Sequence, residues 1–391
     1  MEIYALDPLL RREYVVDQYI SLIWTERFNT HGDFQLSIVS TPGTRRLFTA
    51  DTYLAMDKSN YVMRVESVED DASVNGSRTL MVKGRSYEAI LIDRVARDNN
   101  VDLTTEPTWN ITMAPADLMR KLFHDICVTG VGNVYDIIPG VVESSLISSN
   151  IPEPVDPIVV KLRPDTLYNG LTGIGSVWSL GFRFLRQEPG TMYFDVYSGS
   201  DRTSSQTLLT PVIFSPNLDN LQNTKELTTI DQSKNVAYVY STDGYQTVYG
   251  PNVDPTISGL QRRVLTVDAS DITTAAGYTD VPSALIQRGK DALAKAQVFQ
   301  GFDGEISQNC PYIYGQHYNL GDLVELQNID GVAMTKRVTE QIFSSDSTGV
   351  KSYPTLTANV FINTGSWMSW TSNKAWIDFD ADTTSVWGNQ P

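Results

Sequence analysis

The sequence predicts a mixed, mainly β protein of the α+β class. Two related β-barrel-like domains flank a smaller α/β middle domain, and an irregular extension follows at the C-terminal end. Three observations lead there. Apolar residues alternate in LVELQ and TKRVTEQIF, with Ile329-Asp330-Gly331 and Ser347-Thr348-Gly349 at the breaks, the pattern of strands joined by hairpin turns. The stretch Asp51 to Val82 repeats that layout, with turns near Ser59-Asn60 and at Asn75-Gly76-Ser77, and Arg64-Val65-Glu66 matches Arg337-Val338-Thr339-Glu340. Between the two units the spacing turns helical. The expected parts are 1–97, 98–210, 211–362 and 363–391.

Taken in order, IYALD, YISLIWTERF and GDFQLSIV read as strands, with Ile20, Leu22 and Trp24 on one face and Phe34, Leu36 and Ile38 on another. Together they suggest a barrel or sandwich. Thr41-Pro42-Gly43 breaks the last of them. RSYEAILIDRVA places Tyr87, Ile90, Leu91 and Val95 at helical spacing, so a short helix is expected to close the first domain.

In the middle domain, Pro115-Ala116-Asp117 opens a helix whose apolar stripe is Leu118, Leu122, Phe123 and Ile126. Residues 139–157, rich in Ser, Pro and Gly, read as a long loop. TLYNGLTGIGSVWSLG predicts a second helix, packed on a hairpin that turns at Glu188-Pro189-Gly190. Gly170, Gly173 and Gly175 lack the Lys-Ser/Thr of a phosphate loop and fail the GxGxxG spacing at Trp178, so helix packing is their expected use.

Strands resume at Pro211. In KNVAYVYSTD apolar residues fall on both faces, Val236, Tyr238 and Tyr240 alternating with Ala237 and Val239, which predicts a strand buried on each side. A helix over 283–297 follows, with Pro282 at its start and Leu285, Leu293 and Ala296 on one stripe.

The 391-residue chain is 41% hydrophobic, enough to fill real cores. Its 46 acidic and 30 basic residues leave a formal charge of −16, which disfavours phosphate-neutralising nucleic-acid binding. Cys127 and Cys310 are far apart and form no CxxC pair, so neither a zinc site nor a disulfide framework is expected. The charge-broken N-terminal stretch reads as strands rather than as a signal peptide or spanning helix, and no membrane insertion is expected.

Catalysis finds little footing. His31, His124 and His317 have no partner in a recognisable motif. His124 and Cys127 stand at i, i+3 beside an apolar stripe, where packing is the ordinary use of a cysteine. Asp378, Asp380 and Asp382 mimic the opening of a calcium loop but lack its Gly and closing Glu. The expectation is a protein without enzymatic activity, cofactor or metal.

Four of the seven tryptophans, Trp367, Trp370, Trp376 and Trp387, crowd the last 25 residues with no sustained period between them. Such an extension cannot build its own core, and that much apolar ring is expected to dock on a partner.

The motifs Gly32-Asp33-Phe34-Gln35-Leu36, Val82-Lys83-Gly84-Arg85 with Leu91 and Arg94, and Tyr318-Asn319-Leu320-Gly321-Asp322-Leu323-Val324 resemble those of the tail-hub family of long-tailed bacteriophages (siphophages), often labelled minor tail or baseplate hub proteins. Ile213-Phe214-Ser215 and Asn235-Val236-Ala237 extend the likeness, which runs in order from about Ile3 to Leu356. The resemblance implies a structural virion protein, assembled in the host cytoplasm. Its trimeric ring would adapt a six-fold tail tube to a three-fold tip and line the channel for genome ejection. The implied partners are further copies of the chain, distal tail and tail-tube proteins, the tape measure protein, and tip or receptor-binding fibre proteins, with DNA only in transit. The alternative is a tail-associated glycan-binding or cell-wall-degrading protein.

Overall fold

The computed structural model describes residues 1–72, 78–96, 109–131, 133–143, 158–162, 165–229, 233–250, 253–275, 280–296, 299–307 and 310–358. The Trp-rich extension, with Trp367, Trp370, Trp376, Trp387 and the three aspartates, lies outside them, as do the Asn75-Gly76-Ser77 turn and most of the expected long loop.

The first part carries β1 (Ile3–Leu6), β2 (Arg12–Val16), β3 (Ser21–Arg27), β4 (Asp33–Val39), the short helix α1 (Pro42–Leu47), β5 (Tyr53–Met56), β6 (Val62–Ala72) and β7 (Arg78–Ser86). Residues Tyr87–Asp93 then form a 3₁₀ helix, and β8 (Val95–Ala96) follows. The α-helix expected here does not form. Glu88 turns inward and accepts the Phe184 N–H at 2.7 Å, which fixes a tighter winding, and Val95 lies exposed in a strand instead of on a helix face. Leu22 and Trp24 are buried as expected, whereas Ile20, one residue before β3, is exposed.

The middle part holds β9 (Trp109–Met113), α2 (Pro115–Phe123), β10 (Val141–Glu143), β11 (Ile158–Leu162), β12 (Asp165–Thr166), α3 (Leu167–Trp178), β13 (Gly181–Gln187) and β14 (Thr191–Tyr197). Helix α2 runs into a π turn, His124–Val128, which keeps Ile126 and Cys127 on the buried side with Leu118, Leu122 and Phe123. Phe123 stacks on Phe194 with ring centroids 3.8 Å apart, so the helix is clamped to the β13–β14 hairpin. Of the three glycines in α3, only Gly175 meets a close neighbour. A Cβ there would lie 2.4 Å from Asn29 Oδ1, while Gly170 and Gly173 face open space.

The last part contains β15 (Ile213–Phe214), β16 (Leu221–Thr229), β17 (Val236–Ser241), β18 (Gly244–Tyr249), β19 (Val264–Asp268), α4 (Val281–Lys295), β20 (Phe299–Ile306), β21 (Leu323–Gln327), β22 (Ala333–Asp346) and β23 (Gly349–Ala358). Strands β16 and β20 pair with each other, and the chain between them folds as a module of its own. There β18, β17 and β19 form a three-stranded sheet, and α4, capped by Asp280, packs Leu285 and Leu293 against Ala237, Val239 and Val248. The double-sided burial expected for β17 is therefore only partly realised: Val236 is covered, but Tyr240 on the same face is exposed.

The main sheet has eleven strands, in the order β15-β21-β22-β3-β4-β7-β6-β5-β1-β2, with β23 on β22 as well. It is an open sheet, and it runs through both β-units without a break. Residues 340–345 of β22 pair with residues 22–27 of β3, so the two units share one ladder. They also share one core, in which Trp24, Phe34, Val65 and Val82 lie with Phe214, Tyr318, Val338 and Phe343. Each large buried side chain contributes about 1.5–3 kcal/mol relative to exposure.

Candidate assembly interface

The two β-units agree in detail that composition does not require. In the first, Tyr53 pairs with Arg64; in the second, Leu323 pairs with Arg337. One residue past each arginine, Val65 exchanges hydrogen bonds with Asp51 and Thr52, and Val338 with Gly321 and Asp322, all at 2.8 or 2.9 Å. Asp51 and Gly321 then occupy the same place and share a left-handed backbone, φ 68° and 88°. The ladder to the third strand skips a residue in both, Glu66 between Val65 and Ser67 and Thr339 between Val338 and Glu340. A bulge at the same offset re-aims both strands in the same way.

At the junction of the units, Arg27 on β3 donates through Nε to Glu340 on β22 at 2.5 Å and through Nη1 to Asp33 at 2.7 Å. Phe28 N–H continues the ladder to the Thr339 carbonyl at 2.9 Å. Beneath it, Glu26 is fully buried and accepts from Tyr314 Oη at 2.9 Å and from Ser59 Oγ. Burial pushes its pKa up to about 7 despite those donors.

The motif residues named from sequence fall into three groups. Gly32, Asp33, Phe34, Gly84 and Arg85 meet around the β4–β7 pair. A Cβ on Gly32 would lie 2.1 Å from the Thr25 carbonyl, and one on Gly84 would lie 1.8 Å from the Arg64 carbonyl and 2.9 Å from the Phe34 ring. Only a bare backbone fits there. Arg85 holds the bulged Glu66 by two bonds of 2.8 and 2.9 Å.

Gly321 and Asp322 build a second cluster. Asp322 is buried and accepts from Ser200 N–H at 2.7 Å, Asn319 N–H at 2.9 Å and Arg202 Nε at 3.0 Å, while burial raises its pKa. The Gly321 carbonyl accepts from Arg337 Nη1 at 2.6 Å. Asn235 stands apart in the inserted module, where it accepts from Arg263 N–H at 2.7 Å and donates to the Gln261 carbonyl at 2.8 Å. These residues shape backbone. His31, His124 and His317 do not converge, and Cys127 is buried with its thiol pushed up to about 12 by desolvation, which makes it inert. Among the described residues no group of His, Cys, Asp and Glu is arranged to hold a metal, and no helix is long and apolar enough to cross a membrane.

Residues 1–356 match the family described as Siphovirus ReqiPepy6 Gp37-like protein. The chain belongs to this family. Solved structures agree with the fold of this Gp37-like chain. The prophage MuSo2 43 kDa tail protein from Shewanella oneidensis superposes with a TM-score of 0.54 at 13% identity, over 91% of this chain and 96% of that one. The tail protein from Neisseria meningitidis MC58 gives 0.53 at 14% identity, over 94% and 98%. Among curated proteins none matches. At such low identities it is the fold that is shared, over more than nine-tenths of this chain.

Sequence reasoning found the repeat but missed Glu26, Ser59 and Tyr314. The one sequence signal is Glu26 at the period-two position after Leu22 and Trp24, which puts it on the buried face of β3, while its partners Ser59 and Tyr314 come from distant parts of the chain and leave no local trace.

Proposed function

We propose that this chain is a structural tail protein of a long-tailed phage, forming a trimeric hub ring at the tail tip. The carrying observation is the duplication: two units with the same register, the same bulge and the same left-handed residue before the first strand. Three copies would present six similar faces to a six-fold tube and three-fold symmetry to the tip. Membership of a siphovirus family and a fold in common with prophage tail proteins support the same reading.

In this reading the parts are 1–97, 98–210, 211–362 with the 233–296 module inserted, and 363–391. The partners are distal tail and tube proteins, the tape measure protein, and tip or fibre proteins. A formal charge of −16 suits a wall past which DNA slides without sticking. The role is structural rather than enzymatic, and Trp367, Trp370, Trp376 and Trp387 are the docking arm toward a neighbouring tail protein. Light scattering of the purified chain, alone and with its flanking tail proteins, tests the ring. A mass of three chains is expected, and a monomer under both conditions overturns it.

A further inference from the structure

Within one chain, the middle strand of the second unit is completed by a strand from the first. Residues 340–345 of β22 extend beyond β21, and β3 covers them. The middle strand of the first unit has the same overhang. Strand β5 reaches only residues 62–64 of β6, and Asp51 and Thr52 serve Val65. Beyond that point β6 pairs with β7 on its other side, and no described strand lies along this edge. Residues 66–72 are all exposed.

The direction of the backbone groups follows from the repeat. Pro354 stands opposite Gln341 in the β22–β23 ladder. A proline has no N–H to exchange, so this pair is a non-hydrogen-bonded one and the Gln341 N–H points away from β23, toward β3. The Thr339 carbonyl, two residues earlier, accepts from Phe28 of the β3 segment on that same side at 2.9 Å. Counting from the shared bulge, Val68 is the counterpart of Gln341, with Val82 in the place of Pro354. Val68, and by alternation Asp70 and Ala72, therefore aim their N–H groups at the open edge.

The strand that should fill it is identified by the same symmetry. In the first unit the covering strand β3 belongs to the β3–β4 ribbon, which enters the unit through β4 on β7. The second unit has the corresponding ribbon, β16 paired with β20, and β20 comes near β23, though among the described strands no ladder joins the two as one joins β4 to β7. Among the described strands β16 pairs with β20 alone. We infer that β16 of a second copy lies antiparallel along residues 67–72 of β6, repeating between copies the β22–β3 joint that exists within each. This rests on the ring reading above and deepens it: each copy offers one open β6 edge and one β16, so the contact is head-to-tail, the kind that a ring of copies requires. Pairing of β6 with β6 of a second copy is disfavoured: beyond Glu66 and Asp70, which are held by Arg85 and Arg78, Glu69 and Asp71 would bring like charges together across the join.

The full chain is tested by native mass measurement over a concentration series, with hydrogen exchange on the same samples. Val68→Pro removes one outward N–H and leaves the β6–β7 ladder its bonds; Ala72→Pro does the same near the strand end, and thermal unfolding checks that each variant folds. The expected result is an oligomer of the unchanged chain in which the Val68, Asp70 and Ala72 amides are slowed, and a dissociation midpoint raised roughly tenfold or more in either folded variant. A ring that both folded variants form equally well, with those amides exchanging fast, overturns the strand assignment and leaves the ring standing. A chain that stays monomeric at every concentration, both alone and with its flanking tail proteins, overturns both.

Discussion

At the residue scale the molecule relies on positions where one atom more would not fit and on carboxyls kept out of water, Glu26 among them. Gly84→Ala would drive a Cβ into the Arg64 carbonyl, 1.8 Å away, and should cost about 1–3 kcal/mol in a denaturant titration. Gly170→Ala, in α3 with nothing within 4 Å, should instead stabilise by about 0.4–1 kcal/mol. Glu26 sets a pH dependence. Its pKa is raised from 4.5 to about 7 in the fold, so between these values the unfolded chain loses the proton first and stability falls as pH rises, by on the order of 3 kcal/mol in all. Glu26→Gln should flatten that fall, making the variant more stable than the parent at pH 8 relative to its standing at pH 4. Parallel unfolding curves at the two pH values decide it. The motif glycines were visible in the sequence as letters, but the reason for them was not: Thr25, Arg64 and Phe34 approach Gly32 and Gly84 only once β3, β4, β6 and β7 are side by side.

At the scale of elements, strands that alternate and turns that carry Gly were legible, because period two and a left-handed residue are local properties. The matching layout of β5–β7 and β21–β23 could be read for the same reason. The junction could not, since Arg27 and Glu340 are 313 residues apart and no local period encodes which strand meets which. Nor could the module between β16 and β20 be told from its surroundings, as its strands β17 to β19 follow β15 and β16 with no local signal that the pairing partner of β16 is β20. The 3₁₀ segment at Tyr87–Asp93 shows a further limit, because apolar spacing suits either winding and the choice was made by Glu88 reaching for Phe184. The module invites a direct test. Thr229 and Phe299 are paired across the ribbon, so its ends are already neighbours, and its core of Ala237, Val239, Leu285 and Leu293 is separate from the main one. Replacing 230–298 by a five-residue loop, like residues 28–32 between β3 and β4, should leave a folded protein with the main unfolding transition intact by circular dichroism. Loss of that transition would mean that the module holds the ribbon in place.

At the scale of the whole molecule, the sheet that joins both units makes the two β-regions one cooperative body, so one main unfolding transition is expected from them in calorimetry. The extension after residue 362 is predicted to add little to that transition. Deleting Gly365 to Pro391 should leave a soluble, stable chain that fails to join the tail, as seen by co-purification with tail proteins. Unfolding or aggregation of the truncated chain would assign Trp367, Trp370 and Trp376 to its own core. The shared ladder also sets a timetable for synthesis. The ribosome makes β22 only some three hundred residues after β3, so the outer edge of β3 waits, open, while those residues are translated. Until β22 arrives the nascent chain has a sheet with an unsealed margin, the kind of surface that chaperones hold and that neighbouring nascent chains can invade. The later strand is thus the one that locks the earlier, and release of a chain cut short before β22 leaves a half-sheet with no way to close.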